Sequence, residues 1–317
     1  MKIIFFGTSS FAAKILQLLL AENEEVVAVV TRPDRPKGRF LKTACSPVKE
    51  IVLANHLNLP IFQPEKASDE VSTAAFQKLN PDLFVVVAYG EIIKQNLLNV
   101  PRFGAINIHA SLLPKYRGAA PIQRALMNGD KETGITIINM VAQMDAGDIL
   151  GMETISISED MTFGELHEKL EEVAGHLLLK ILQDFKSDSV QRLPQDERFK
   201  TLAPKLSSED QKINWQRSAL DIHNQIRALS PFPGAWASLI IGKEEKRVKI
   251  TRSLVIKDRS GEPGVILQFD KEGWIIGCGE GALRLLEVQL EGKKLMKTEE
   301  FIRGMKPDSI KNMLVKK

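Results

Sequence analysis

Over roughly the first 185 residues, short apolar runs alternate with stretches of helical spacing, and this alternation restricts the fold more than any other feature of the chain. Lys2 to Phe6 reads as a strand, Phe11 to Ala21 as a helix and the Val-rich Glu25 to Thr31 as a buried strand. Pro47 to Asn58 reads as a helix, Ile61 to Gln63 as a short strand, Asp69 to Leu79 as a helix and Leu83 to Ala88 as another Val-rich strand. Strands that are apolar throughout, without strict alternation, suit a sheet covered on both faces. Joined by helices, they pack side by side and parallel through right-handed crossovers, which gives a Rossmann-like α/β sheet. Ala105 to His109 and Gly134 to Asn139 extend the strand series, with a helix between them from about Ala120 to Asn128 and a long one from Thr162 to Phe185 after them.

The pattern then changes. Residues 186 to 212, with Ser, Asp, Gln, Pro194 and Pro204, have no strong period and read as a connector. Beyond them Ala219 to Leu229 forms an amphipathic helix, followed by five short strands: Trp236 to Ile241, Val248 to Ser253, Gly264 to Phe269, Trp274 to Cys278 and Ala282 to Gln289. Short strands separated by Gly-rich turns point to a small OB-like β-barrel. A length of 317 residues fits this division, expected as an α/β domain over 1–189, a linker over 190–207 and a β-barrel domain over 208–317. The net charge of +3 is unevenly spread: residues 201–317 hold 21 Lys and Arg against 15 Asp and Glu, and the remainder 22 against 25. A mildly basic second domain is weak evidence for a polyanionic partner, because solvated surfaces are often rich in Lys. Two cysteines, Cys45 and Cys278, far apart and without metal spacing, suit a reducing compartment. The opening apolar run is too short for an export signal and no stretch is long enough for a membrane helix, so a cytoplasmic protein is expected. A monomer is the expected state.

Three segments carry chemistry. Gly7-Thr8-Ser9-Ser10 follows the first strand, where such sheets place ligands, but it lacks the G-x-G-x-x-G fingerprint, and a tight turn is the plainer reading. Thr31 to Lys42 contains Arg32, Arg35, Lys37, Arg39 and Lys42 against the single acid Asp34. Such a loop is either solvated or suited to a phosphate backbone, to which Arg makes forked contacts. In the strand ending at His109, alternation puts Asn107 and His109 on one face. With Asp145 beside Gly147, they make a candidate amide donor, proton handler and carboxylate, a set suited to acyl transfer onto an amine. The remaining histidines, His56, His167, His176 and His223, lack partners at ligand spacing and read as helix or surface residues; no metal is expected. Lys115 and Arg117 read as flanking a turn or meeting a ligand's tail.

The run Asn107-Ile108-His109-Ala110-Ser111-Leu112-Leu113-Pro114, followed by Tyr116-Arg117-Gly118-Ala119-Ala120-Pro121-Ile122-Gln123, resembles the signature of the formyltetrahydrofolate-dependent formyltransferases. The basic Pro33 to Arg39 loop with Ser46-Pro47-Val48-Lys49 is similar to the insertion of the members that act on tRNA. In the second part, Ile226-Arg227-Ala228 with Pro231, Pro233, Gly234, Ala235 and Trp236, Glu291 to Lys294 and Phe301 to Gly304 resemble the family's C-terminal domain. The resemblance implies transfer of a formyl group from 10-formyltetrahydrofolate to the α-amine of methionine on initiator tRNA, for the start of translation. It implies Asn107, His109 and Asp145 as catalytic residues, and folate contacts at Ser111, Leu112, Leu113 and Pro114 and at the main chain near Val87, Tyr89 and Gly90. It further implies tRNA contacts at Arg35, Lys37, Arg39 and Lys42, with Arg39 meeting the acceptor end. The nearest alternatives are a formyltransferase acting on an amino-sugar nucleotide and a non-catalytic RNA-binding module. The first has no use for the basic arm, and the second leaves the Asn107, His109 and Asp145 set idle.

Overall fold

A computed structural model describes residues 1–37, 42–55, 58–305 and 310–313. The chain runs β1 (Ile3–Gly7), α1 (Ser10–Ala21), β2 (Val26–Val30), β3 (Arg35–Lys37), β4 (Lys42–Ala44), α2 (Pro47–Ala54), β5 (Ile61–Phe62), α3 (Glu70–Lys78), β6 (Leu83–Val87), α4 (Gln95–Leu98) and β7 (Ala105–His109). It continues through β8 (Arg117–Gly118), α5 (Pro121–Met127), β9 (Glu132–Asn139), β10 (Ile149–Ser156), α6 (Phe163–Lys186) and β11 (Leu202–Ala203). The last part holds α7 (Ala219–Ala228), β12 (Ala235–Ile241), β13 (Glu244–Ile256), β14 (Ile266–Asp270), β15 (Gly273–Gly277), β16 (Ala282–Leu290), β17 (Met296–Lys297), α8 (Thr298–Arg303) and β18 (Ile310–Met313). Helix starts follow local chemistry: Ser9, Ser46 and Asp69 cap α1, α2 and α3 by accepting from Ala12, Lys49 and Ser72 main-chain N–H groups. Among the described residues no helix is long and apolar enough to cross a membrane.

The chain forms two compact units, and it enters the second more than once. The first comprises Met1–Gly118, Thr133–Ile155 and His167–Leu202; the second comprises Ala119–Glu132, Ser156–Leu166 and Ala203–Lys317. The first unit is built on a seven-stranded sheet in the order β10-β9-β7-β6-β1-β2-β5. From β1 the chain steps outward to β2 and β5, then returns to lay β6 and β7 on the other side, so the direction of winding reverses between β1 and β6. Open α/β sheets keep their ligands at such a switch point, outside the carboxyl ends of the strands. Alternate residues Ile4, Phe6, Ala28, Val30, Phe84 and Val86 share one face and one core with Phe76, Leu97 and Tyr89. Strands β1, β2, β5, β6 and β7 are parallel, as the alternation demands, but β9 pairs with β7 antiparallel, His109 opposite Thr136. A parallel neighbour needs a crossover helix on the sheet. The helix between β7 and β9 is α5, which packs on α7 in the second unit instead, and the chain returns antiparallel.

The second unit carries the antiparallel path β14-β15-β16-β13-β12-β18, with β17 on β16. Its two edge strands, β14 and β18, approach each other, so the sheet curls into a half-barrel. Trp215, Ile222, Ile226, Leu239, Ile250, Trp274 and Leu285 fill its core. The segment ahead of α6 is tied in by polar contacts: Thr162 and Glu165 form a capping box, and Arg252 donates to Glu165 at 2.6 Å. Thr162 first, and Arg252 after it, hold the Glu165 carboxyl down at about 2.

Candidate active site

Strand β7 lies beside β6 with Asn107 in register with Val86, and its pleat carries Asn107 and His109 to the same face near its carboxyl end. Asp145 reaches them from the loop between β9 and β10. Asn107 Nδ2 donates to Asp145 Oδ1 at 3.3 Å, and the Gly118 main-chain N–H donates to Oδ2 at 2.9 Å. His109 Nδ1 stands 3.6 Å from the same Oδ2. The other ring nitrogen, Nε2, is 2.9 Å from Tyr116 O. A carbonyl oxygen only accepts, so Nε2 carries hydrogen and Nδ1 is the nitrogen left to face the carboxylate. His109 is 5% exposed and the Asp145 side chain 11%, so the pair sits in surroundings where charge interactions are stronger than in water.

The loop that presents Asp145 depends on its backbone. Asp145 has φ of 52° and Tyr116 φ of 63°, both in the left-handed region that Asp tolerates better than most side chains. Gly147 lets the loop close on β9: a Cβ there would lie 1.7 Å from Asn139 O, while Asn139 N donates to Asp148 O at 2.9 Å. Only glycine fits that approach.

The segments expected to meet folate follow β6 and β7 and so border the same sheet edge. Ser111 is fully buried, its hydroxyl donating to Lys115 O at 2.6 Å, and Thr136 Oγ1 bridges Ser111 O and Leu113 N. Leu113 is buried, while Leu112 and Pro114 are half-buried. At the end of β6 and just beyond it, Val87 and Tyr89 are buried and Ala88 and Gly90 exposed. The Tyr89 ring stands edge-on to Phe6 at 5.5 Å, and its hydroxyl donates to Glu91. Burial and the Glu91 charge push its phenol pKa up. Tyr89 therefore turns its main chain, not its ring, to the sheet edge. Its carbonyl accepts from Thr8 Oγ1 at 2.8 Å, and Gly90 O accepts from Arg32 Nη1 at 2.9 Å. Thr8 and Arg32 thus lace the ends of β1 and β2 to the loop after β6, around the switch point. Neither stood out in the sequence as more than part of a turn and a loop.

The basic loop is a hairpin of β3 and β4, with Arg35 opposite Ala44 and Lys37 opposite Lys42. Arg39 lies outside the described residues. Arg35 is exposed and donates to Glu65 at 2.6 Å. The hairpin is gripped at its base by Asp34, which accepts from Lys49 Nζ at 2.7 Å and from Gln63 Nε2 at 2.7 Å. Lys49, with help from Gln63, lowers the Asp34 pKa. Arg117, expected beside a turn or on a ligand's tail, is instead buried and forks onto Gln195 and Glu197. His223, expected as a helix or surface residue, is a helix residue but a buried one. Among the described residues no three His, Cys, Asp or Glu side chains gather as metal ligands would.

Residues 1–182 match the formyl transferase family model and residues 205–306 that of the formyl transferase C-terminal domain. The methionyl-tRNA formyltransferase of Protochlamydia amoebophila (strain UWE25) is 48% identical over 311 residues, covering 98% of this chain and 97% of that protein. That of Staphylococcus epidermidis (strain ATCC 12228 / FDA PCI 1200) is 41% identical over 315 residues, covering 99% of both chains. Among solved structures, the sugar 3N-formyl transferase WlaRD, crystallised in the presence of dTDP and 5-N-formyl-THF, superposes with a TM-score of 0.66 at 22% identity over 93% of this chain and 99% of that one. HypX from Aquifex aeolicus, in complex with tetrahydrofolic acid, gives 0.64 at 19% identity over 95% of this chain and 47% of its own. At those identities the structural likeness speaks of fold alone.

Proposed function

The chain belongs to the formyl transferase family, and from that premise we propose that it carries a formyl group from 10-formyltetrahydrofolate to the α-amine of methionine on initiator tRNA, in the cytoplasm. One observation carries the choice of acceptor: proteins named for this reaction align with it almost end to end at 41% to 48% identity. The labour divides between residues 1–189 for folate and chemistry, 190–207 as linker and 208–317 for tRNA backbone, where the excess of Lys and Arg lies.

In this reading the neutral amine attacks the formyl carbon at the edge of β7. Asn107 Nδ2 donates to the oxygen as it gains charge, joined by His109 Nδ1–H when the ring is protonated. Asp145 takes the proton that the amine releases, directly or through a water. The carbon–nitrogen bond to the donor then breaks, and the departing folate nitrogen is protonated in turn, which restores the site. Two hydrogen bonds orient the carboxylate, from Asn107 and from Gly118 N–H, with the His109 ring beside it, so it meets the amine without reorganising. The folate is held along the strand ends after β6 and β7, at Val87 to Gly90 and Ser111 to Pro114, and it serves as co-substrate. The acceptor end meets the basic residues Arg35, Lys37, Arg39 and Lys42.

The test is to incubate the protein with 10-formyltetrahydrofolate and, in separate arms, methionyl initiator tRNA and an amino-sugar nucleotide. Formylmethionine on the tRNA, with no formylated sugar, is expected. Formylation of the sugar alone removes the proposal.

A further inference from the structure

Gln195 lies in the connector, a stretch with no periodic pattern, yet its side chain bridges two parts of the candidate site. Its Nε2 donates to Asp145 O and to Gly147 O, both at 2.8 Å. Its Oε1 accepts from Arg117 Nη2 at 2.7 Å and Nε at 3.1 Å. Arg117 completes its fork on Glu197, Nη2 to Oε1 at 2.6 Å and Nη1 to Oε2 at 3.2 Å. Its side chain is only 2% exposed, so the guanidinium is oriented by these partners and not by water. The residues flanking Arg117 supply the two main-chain groups that meet the catalytic set: Tyr116 O under His109 and Gly118 N–H on Asp145. One guanidinium therefore fixes the strand that touches His109 and Asp145 and, through Gln195, the loop that carries Asp145.

We propose that Gln195, oriented by Arg117 and Glu197, is a positioning residue that sets the Asp145 carboxylate against His109 and the incoming amine. The inference rests on the reading of Asp145 as proton acceptor. Chemistry singles out a primary amide of this length. The position needs an acceptor toward a guanidinium and two N–H donors toward two carbonyls. Glutamate would turn an oxygen against both carbonyls, leucine would leave all three partners unmatched, and asparagine is one methylene short. What the amide holds is a main chain already in the left-handed region at Asp145, which needs surrounding contacts to persist. The reacting geometry is sensitive to such support, since a misplacement of about 1 Å can cost roughly 10²-fold in rate.

The experiment measures single-turnover formylation of methionyl initiator tRNA across pH for Gln195→Leu, Gln195→Glu and Asp145→Ala, with KM values for both substrates. Both Gln195 variants are expected to slow the chemical step by roughly 10- to 100-fold, with both KM values within about twofold of the parent. The pH dependence of the rate should also change shape, because the group set against the amine has changed surroundings. A merely structural role would scale the rate equally at every pH, and that outcome overturns the inference even where a variant melts at lower temperature. So does an unchanged rate, or a loss confined to KM. If Asp145→Ala is slow while both Gln195 variants are normal, positioning fails alone; if Asp145→Ala is itself normal, the reading of Asp145 fails with it.

Discussion

Two histidines invite comparison, His109 in the first unit and His223 in the second. Each is 5% exposed, each puts Nε2 against a main-chain carbonyl, and each has an aspartate close by. Asp145 is 3.6 Å from His109 Nδ1, and Asp160 is 3.4 Å from His223 Nε2. The two sites differ in what the second nitrogen meets and in how the acid is held. His223 Nδ1 is engaged with Ser253 Oγ at 3.1 Å, and Asp160 is 63% exposed at the side chain. His109 Nδ1 faces a carboxylate that is nearly buried and pinned by Asn107 and Gly118. His223 donates to Glu159 O and accepts from Ser253, and those two bonds use up a neutral ring. Burial and a nearby acid are thus common to both histidines; an oriented acid facing a nitrogen that is not already satisfied sets apart His109, the one we propose as catalytic.

The largest expected effects would break this comparison if they failed. His109→Ala and Asp145→Ala should each lower single-turnover formylation by roughly 10²- to 10⁴-fold, the usual worth of a positioned acid or base. Asn107→Ala should cost about 10²- to 10³-fold as the loss of one oxyanion donor, which chemical quench during one turnover would show. His223→Ala should behave oppositely, unfolding about 1–3 kcal/mol more easily because Ser253 and Glu159 lose a buried partner, with the formylation rate of the folded protein unchanged. Urea titration beside the rate assay separates these outcomes.

The smallest effect concerns pH. Burial lowers the His223 pKa in the folded protein, outweighing the favourable contacts to Glu159 and Asp160, while Arg227 lowers it further. The unfolded chain therefore binds a proton first, so this contribution to stability is full above the ordinary histidine value of about 6.5 and is lost as pH falls through and below it. His167 is lowered by burial as well and acts in the same direction. Subtracting the His223→Ala melting curve from the parent's should leave a difference that shrinks as pH drops from 7 toward 5.

Much of the fold was legible because hydrophobic periodicity is a local property. The Val-rich β2 and β6 and, in the second unit, β12, β14, β15 and β16 lie close to their expected bounds, whereas β13 runs from Glu244 to Ile256, well past the expected Val248 to Ser253 at both ends. Elements without that signal were missed. The hairpin strands β3 and β4 are Arg-Pro-Lys and Lys-Thr-Ala, three residues each and too short to show an apolar period. Strand β10 carries Gly151 and a run of exposed residues at Met152, Glu153 and Thr154, which hid its period. In the candidate site, Asn107 and His109 declared themselves through strand alternation. The left-handed turn at Asp145 and the bridge from Gln195 did not, since both depend on contacts between residues far apart in sequence. A glutamine that binds main-chain carbonyls also leaves no pattern for a sequence to repeat.

The threefold entry of the chain into its second unit has a consequence for how the protein can be built or cut. Helix α5 buries Ile122, Ala125 and Leu126 and packs on α7, which the ribosome makes some ninety residues later. Until then a nascent chain carries α5 without that packing partner. For the same reason, a replacement second domain grafted at one joint near Ala203 would arrive without two of the pieces that complete it. A working chimera would have to exchange three segments together.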